Sequence, residues 1–199
     1  MIGIIDYGLG NLKSFSNILN GFNTNFIIPK KKNEIEKCSK FILPGVGSFD
    51  EAIMKLKSQN YFECLENEIL IKKKKIIGIC VGMQIFLNRS EEGDLPGLGW
   101  VNGEVKKFSS QNLRIPHIGW NTLNIKKKSE LFKNINDPEF YFLHSYYCKL
   151  KILDEIVSVT NYAENFCSSY ISENISGIQF HPEKSHENGT KLLRNFIEL

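Results

Sequence analysis

One short segment, Gly78-Ile79-Cys80-Val81-Gly82, places a cysteine between two glycines where a predicted strand passes into a predicted helix. This is the G-x-nucleophile-x-G pattern of a nucleophile elbow, with Cys at the nucleophile position. Such a sharp turn leaves no room for side chains two residues to either side. A helix N-terminus directly after the thiol favours the thiolate and offers N–H groups to an oxyanion. The pattern predicts a catalytic Cys80; the alternative is a buried structural Cys in an ordinary turn.

A thiol nucleophile needs a base, and the base needs a group that orients it. His181 and Glu183 follow the last predicted strand, and alternate residues of an extended chain face the same side. The Glu183 carboxylate can therefore hold one nitrogen of the His181 ring, with Pro182 stiffening the link. Together with Cys80 these residues predict a Cys–His–Glu triad in which the carboxylate favours the imidazolium. Taken alone, the pair equally fits a strand-end His beside a surface Glu.

Other glycines and histidines have weaker interpretations. The Pro44-Gly45-Val46-Gly47 turn ends a strand at the sheet edge expected for Cys80, so it is either a second source of oxyanion N–H groups or a simple turn. Gly8-Leu9-Gly10 begins like a dinucleotide-binding fingerprint, but Lys13 stands where the third Gly belongs, which excludes that interpretation. His117 and His144 lie in aromatic strand segments and are interpreted as structural. Without tight ligand spacing, no zinc site is expected.

Composition excludes several classes of protein. The 199 residues are 42% hydrophobic and 24% charged, which is typical of a globular domain. The formal charge of +3 is too small to indicate a nucleic-acid partner. No apolar run reaches the length of a membrane span, so no membrane partner is expected, and the N-terminus resembles a strand rather than a signal peptide. Five cysteines with no CxxC pair indicate a reduced, cytoplasmic protein.

The elements expected to position the triad alternate between strand and helix in the first half of the chain. Strands are predicted over 1–5, 25–28, 40–43 and 76–79, with helices starting at the Asn11 N-cap and around 49–56, 62–70 and 83–87. The second half reads as strands over 100–108, 117–125, 140–150, 156–161, 166–172 and 177–180, then a final helix around 192–197. We expect one α/β domain over residues 1–199, a mostly parallel central sheet flanked by helices with an antiparallel appendage.

Seven segments, in order along nearly the whole chain, carry a specific resemblance to a known family. They are Asp-Tyr-Gly-Leu-Gly-Asn (6–11), Pro-Gly-Val-Gly-Ser-Phe (44–49), Gly-Ile-Cys-Val-Gly-Met-Gln (78–84), Ser-Glu-Glu-Gly (90–93), Pro-His-Ile-Gly-Trp-Asn (116–121), Tyr-Phe-Leu-His-Ser-Tyr-Tyr (141–147) and Gln-Phe-His-Pro-Glu-Lys-Ser (179–185). The chain resembles class I (triad) glutamine amidotransferases, whose fold is flavodoxin-like. Within that family it resembles the glutaminase subunits of imidazole glycerol phosphate synthase.

The resemblance implies a glutaminase that hydrolyses L-glutamine through a γ-glutamyl thioester on Cys80, with His181 passing a proton to the departing nitrogen. It implies oxyanion donors at Val81 and in the Gly47 region. The positions implied to grip glutamine, with Glu92 suited to its α-ammonium group, are Val46, Gln84, Glu92, Ser145 and Tyr146. No metal or organic cofactor is implied.

The resemblance also implies a heterodimer with a (βα)8-barrel cyclase subunit, which receives the ammonia and makes imidazole glycerol phosphate and AICAR. The positions implied at or near that interface are Asn11, Trp120, Tyr141 and Lys184. Core packing is the alternative for Trp120 and Tyr141.

Two departures from the family pattern leave other functions open. Val81 stands where Leu is commoner, and Ala163 where Gly is usual. A paralogue that feeds ammonia to another synthase, for example one amidating a surface sugar, remains possible on the sequence. A stand-alone Cys hydrolase is a weaker alternative because Gln84 and Glu92 would have no evident role in it. An inactive subunit is disfavoured by the intact triad.

Overall fold

The computed structural model describes residues 1–109 and 113–199. Strands and helices alternate in the first half: β1 (Ile2–Ile4), α1 (Leu12–Gly21), β2 (Phe26–Ile27), α2 (Lys32–Lys37), β3 (Lys40–Gly45), α3 (Phe49–Lys57), α4 (Phe62–Leu70), β4 (Lys75–Cys80) and α5 (Val81–Gln84). Strands dominate the second half: β5 (Arg89–Ser90), β6 (Gly103–Lys107), β7 (His117–Thr122), β8 (Asn124–Ile125), β9 (Glu139–His144), β10 (Tyr146–Leu150), β11 (Ile156–Asn161), β12 (Asn165–Ser172) and β13 (Ile175–Ile178), followed by α6 (His186–Glu198). Short 3-10 helices cover Glu130–Phe132, Leu153–Glu155 and Pro182–Lys184.

The large sheet has the strand order β2-β1-β3-β4-β13-β12-β10-β6-β5, with β11 beside β12 and β8 beside β11. Strands β2, β1, β3, β4 and β13 are parallel, whereas β12 and β10 continue the sheet in antiparallel fashion. Strands β7 and β9 form a separate antiparallel pair. These findings confirm the predicted α/β fold with its antiparallel appendage.

Burial explains why β4 lies centrally in the parallel part of the sheet. Its sequence, Lys-Ile-Ile-Gly-Ile-Cys, is apolar on both faces, and every residue after Lys75 is buried. Alongside the sheet, α6 buries a helical stripe of Leu192, Leu193 and Phe196. The predicted N-cap of α1 is confirmed, because the Asn11 side chain accepts a hydrogen bond of 3.2 Å from the Ser14 N–H.

Three predicted elements differ from the structure. The predicted strands over 117–125 and 140–150 are each two strands, because the chain changes sheets between β7 and β8 and between β9 and β10. The predicted helix over 83–87 ends at Gln84, since the carbonyl groups of residues 85–87 accept hydrogen bonds from the N–H groups of 98, 101 and 99. Helix α2 was not predicted, because it is short and Ile35 is its one buried side chain.

Within the described residues, no helix is long and apolar enough to cross a membrane.

The packing of Gly82 generates a prediction about stability. A Cβ atom on Gly82 would overlap the backbone carbonyl oxygen of Leu43 on β3, whereas one on Gly21, the last residue of α1, would meet open space. We expect Gly82→Ala to lower the free energy of unfolding by about 3 kcal/mol or more, and Gly21→Ala to leave it unchanged or raise it slightly. Urea titration of both variants tests this. Equal stabilities would show that the turn does not need its glycine.

Candidate active site

Cys80 lies at a strained turn between β4 and α5. Its backbone angles are φ +55° and ψ −112°, a combination that residues other than glycine rarely adopt. The residue is 4% exposed. A Cβ on Gly78 would stand 2.5 Å from the carbonyl oxygen of Gly82. The two flanking glycines are therefore required sterically, as the elbow motif predicted.

The strand register brings two distant loops to the sides of Cys80. On one side, Gly45 of β3 lies directly opposite Cys80, so residues 46 and 47 continue past the thiol. On the other side, Ile178 of β13 pairs with Ile79, and the chain runs on to His181, whose N–H donates to the Tyr141 carbonyl at 2.8 Å. The carboxyl edge of a parallel sheet is where α/β proteins place their ligand sites.

The structure brings the three predicted triad residues together. His181 Nδ1 lies 2.9 Å from Glu183 Oε1, with both side chains almost fully buried, and the His181 ring is also hydrogen-bonded to the Cys80 side chain. The extended chain predicted between His181 and Glu183 is wrong, because Pro182–Lys184 form a 3-10 turn. The turn nevertheless keeps the Glu183 carboxylate at the ring.

The electrostatics of this group favour a charged imidazole. Burial opposes protonation of His181, but its hydrogen bonds to Cys80 and Glu183 outweigh burial and raise its pKa to about 10. This raised pKa favours the imidazolium, whose Nδ1 faces the Glu183 carboxylate. The sulfur lies also 3.8 Å from the Leu143 carbonyl oxygen and 3.7 Å from Gln179 Nε2.

A pocket of about 260 Å³ opens beside Cys80 and His181. All the residues predicted as oxyanion donors or glutamine contacts line it: Val46, Gly47, Val81, Gln84, Glu92, Ser145 and Tyr146. Three further lining residues, Pro116, Leu143 and His144, were not predicted to line it. Gly47 has φ +94°, a left-handed conformation that suits glycine and shapes the loop beside the thiol.

Two polar side chains of the pocket are fixed by the protein. Gln84 Nε2 donates to the Tyr146 carbonyl at 2.9 Å and to Gln179 Oε1 at 3.0 Å. Glu92 Oε2 accepts from the Phe49 N–H at 2.8 Å. Burial raises the pKa of Glu92, with a further contribution from the charge of Asp50, and the Phe49 hydrogen bond opposes this shift.

One residue of the pocket wall, His144, belongs to a buried histidine pair. His117 Nδ1 is 3.0 Å from His144 Nε2, and His144 Nδ1 is 2.8 Å from the Tyr146 carbonyl oxygen. Burial lowers the pKa of His117 to about 4 and that of His144 to about 3, so both rings are neutral at pH 7. The carbonyl fixes the proton on His144 Nδ1, and His117 then donates to His144 Nε2. This geometry fits the interpretation of both as structural histidines.

Three of the four predicted interface residues lie together outside the pocket. Trp120 is 43% exposed and pairs across strands with Tyr141, while Lys184 Nζ lies 5.5 Å from the centre of the Tyr141 ring. Core packing, the alternative for Trp120, is therefore wrong. Ile118 and Leu143 are exposed on the same side of the strand pair. We call Ile118, Trp120, Tyr141 and Leu143 the outer face. The fourth, Asn11, is the exposed N-cap of α1, a helix that contacts the Pro182–Lys184 turn.

Within residues 1–109 and 113–199, no group of three or more His, Cys, Asp or Glu side chains is arranged to hold a metal ion.

Comparisons with known proteins agree with this geometry. The family model described as glutamine amidotransferase class-I matches residues 4–199. The chain is 49% identical to the imidazole glycerol phosphate synthase subunit HisH of Leptospira borgpetersenii and 41% identical to that of Bdellovibrio bacteriovorus, with all of each chain covered. Among solved structures, one titled glutamine amidotransferase superposes with a TM-score of 0.72 at 15% identity, over 99% of this chain and 97% of the other. That structural likeness shows the fold.

The extent of these matches, over the whole length of the chain, decides the family. The chain belongs to the class-I glutamine amidotransferases and, within them, to the HisH subunits of imidazole glycerol phosphate synthase.

Proposed function

We propose that this chain is the glutaminase subunit of an imidazole glycerol phosphate synthase. It hydrolyses L-glutamine to glutamate and ammonia and passes the ammonia to a (βα)8-barrel cyclase subunit in a heterodimer. The observation that carries the proposal is the hydrogen-bonded Cys80–His181–Glu183 group at the edge of a pocket. The names of the relatives support the synthase rather than another ammonia acceptor or a stand-alone hydrolase.

The geometry supports a two-step acyl transfer. The Cys80 sulfur, as thiolate, attacks the side-chain carbonyl carbon of glutamine, and N–H groups of Val81 and the 46–47 loop stabilise the oxyanion. The His181 imidazolium donates its proton to the amide nitrogen, the C–N bond breaks, and ammonia leaves a γ-glutamyl thioester. Neutral His181 then takes a proton from water, which attacks the thioester; the C–S bond breaks and glutamate is released.

The remaining pocket residues fit the amino-acid end of the substrate. Glu92 supplies a carboxylate for the α-ammonium group, while Gln84, Ser145 and Tyr146 line the wall where the rest of the head group lies. The outer face, with Lys184 beside it, supplies an exposed aromatic and aliphatic surface of the kind found at the centre of protein interfaces.

The same proposal covers the organisation and location of the chain. The family model spans residues 4–199, which supports one glutaminase domain over residues 1–199. The five cysteines are free thiols. Free thiols and a role in amino-acid biosynthesis support a reducing, cytoplasmic location.

The role of Cys80 predicts a selective loss of activity. With the cyclase partner present, we expect Cys80→Ala to abolish glutamate release, because no thioester can form. Cys64→Ala, which removes a half-buried thiol on α4, should retain wild-type turnover. A glutamine-derived diazoketone should label Cys80, as followed by peptide mass mapping. Full inactivation by this reagent with Cys80 unmodified would place the nucleophile elsewhere.

The charge of His181 predicts a pH dependence. Because the folded pKa of His181 is raised to about 10, the imidazolium persists at neutral pH and is lost only as the pH rises through that value. Glu183→Gln removes the carboxylate, so we expect lower turnover and an alkaline limb of kcat/KM shifted to lower pH. Glu187→Gln, at an exposed position on α6, is the matched control. An alkaline limb that does not move in Glu183→Gln would contradict this assignment.

The outer face predicts where the partner binds. Trp120→Ala should weaken binding of the cyclase subunit by about tenfold or more, because a central aromatic anchor is commonly worth at least 1–2 kcal/mol. Ile71→Ala removes an even more exposed side chain at the end of α4 and should leave the affinity unchanged. Isothermal titration measures both affinities. If both variants bound like wild type, the partner would have to contact another surface.

A further inference from the structure

Two adjacent residues at the start of α3 bind the loop that carries Glu92. The Phe49 N–H donates to Glu92 Oε2 at 2.8 Å. The next residue, Asp50, accepts two hydrogen bonds, from the Asp94 N–H at 3.0 Å and the Leu95 N–H at 3.2 Å. The loop is thus attached to α3 both through the Glu92 side chain and through its own backbone.

Packing leaves little freedom in this attachment. A Cβ on Gly93 would overlap the carboxylate of Asp50, so the side chain fills the space directly beneath the loop backbone. On the other side of Glu92, its N–H donates to Ser90 Oγ at 3.0 Å. Glu92 is therefore held from both directions, and Asp50 provides the contacts on its C-terminal side.

Asp50 also acts on Glu92 through its charge. Burial raises the pKa of Glu92, and the negative charge of Asp50, whose carboxylate lies against the loop that carries Glu92, adds to that shift. Two neighbouring carboxylates repel, and a cation bound at Glu92 relieves that repulsion. A ligand ammonium group is such a cation.

We propose that Asp50 is a positioning residue for recognition of the substrate's α-ammonium group. It holds loop 92–95 so that Glu92 faces the pocket, and it adds a second negative charge behind Glu92. This inference rests on the proposed function, because it assumes that the pocket binds an α-amino acid. Gly47, in the loop beside Cys80, lies only two residues before Phe49 in the chain. The start of α3 therefore adjoins that loop and also holds the loop that carries Glu92.

The test compares ligands with and without an α-amino group. Glutamine hydrolysis by the heterodimer is followed by glutamate release, and 5-amino-5-oxopentanoate, which is glutamine lacking its α-amino group, is added as a competitive inhibitor. For Asp50→Ala we expect the KM for glutamine to rise about tenfold, the size of effect expected for hydrogen bonds to a charged group. We expect kcat and the inhibition constant of the deamino compound to change little. Asp50→Asn, which keeps one acceptor and loses the charge, should fall between wild type and Asp50→Ala.

Matched controls separate positioning from general loss of structure. Glu63→Ala removes an exposed carboxylate from the first turn of α4 and should behave like wild type. If Asp50→Ala does not fold, as judged by circular dichroism and thermal melting, Asp50→Asn carries the comparison. Equal weakening of glutamine and of the deamino compound, or an unchanged KM for glutamine, would overturn the role of Asp50. A wild-type heterodimer that releases no ammonia from glutamine would instead overturn the proposed function on which it rests.

Discussion

The site depends on one buried imidazolium held between a sulfur and a carboxylate. Burial of His181 by itself favours the neutral ring, and the hydrogen bonds to Cys80 and Glu183 reverse that preference. The same ring is the counter-charge of the Glu183 carboxylate. Its Oε2 is buried and has no hydrogen-bond partner among the described residues, so a neutral His181 would leave a buried carboxylate without a counter-charge.

The parallel sheet is what allows residues so distant in sequence to meet. Strand β4 lies between β3 and β13, so the turn after β4 has one loop on each side at the same edge of the sheet. Gly47 lies in the loop after β3, and His181 lies in the segment after β13. The strained turn at Cys80 is possible because the flanking glycines allow close approach to β3. A loosened turn would move the sulfur away from both loops at once.

Local chemistry explains which parts of this arrangement were predictable. The elbow and the His-Pro-Glu segment are short motifs whose residue types follow from the geometry of one turn. The alternation of strands and helices predicted that both motifs lie at the carboxyl edge of a parallel sheet. The bonds of Asp50 to loop 92–95 and of His117 to His144 join residues far apart in sequence, and no periodic pattern encodes them. The break between β9 and β10 is of the same kind: the Ser145 carbonyl turns away to accept from the Phe108 N–H. In the sequence, the residues on either side of Ser145 form one largely apolar stretch, which was predicted as a single strand.

Strand β9 connects the outer face to the triad. Its backbone carbonyls contact the active site, since Tyr141 accepts from the His181 N–H at 2.8 Å and Leu143 lies 3.8 Å from the Cys80 sulfur. The side chains of the same two residues belong to the outer face. Besides pairing with β7, β9 is held by hydrogen bonds from the Tyr141 N–H to Ser185 Oγ and from Asn188 Nδ2 to the Glu139 carbonyl oxygen. A displacement of β9 would therefore move the Tyr141 and Leu143 carbonyl groups that contact His181 and Cys80.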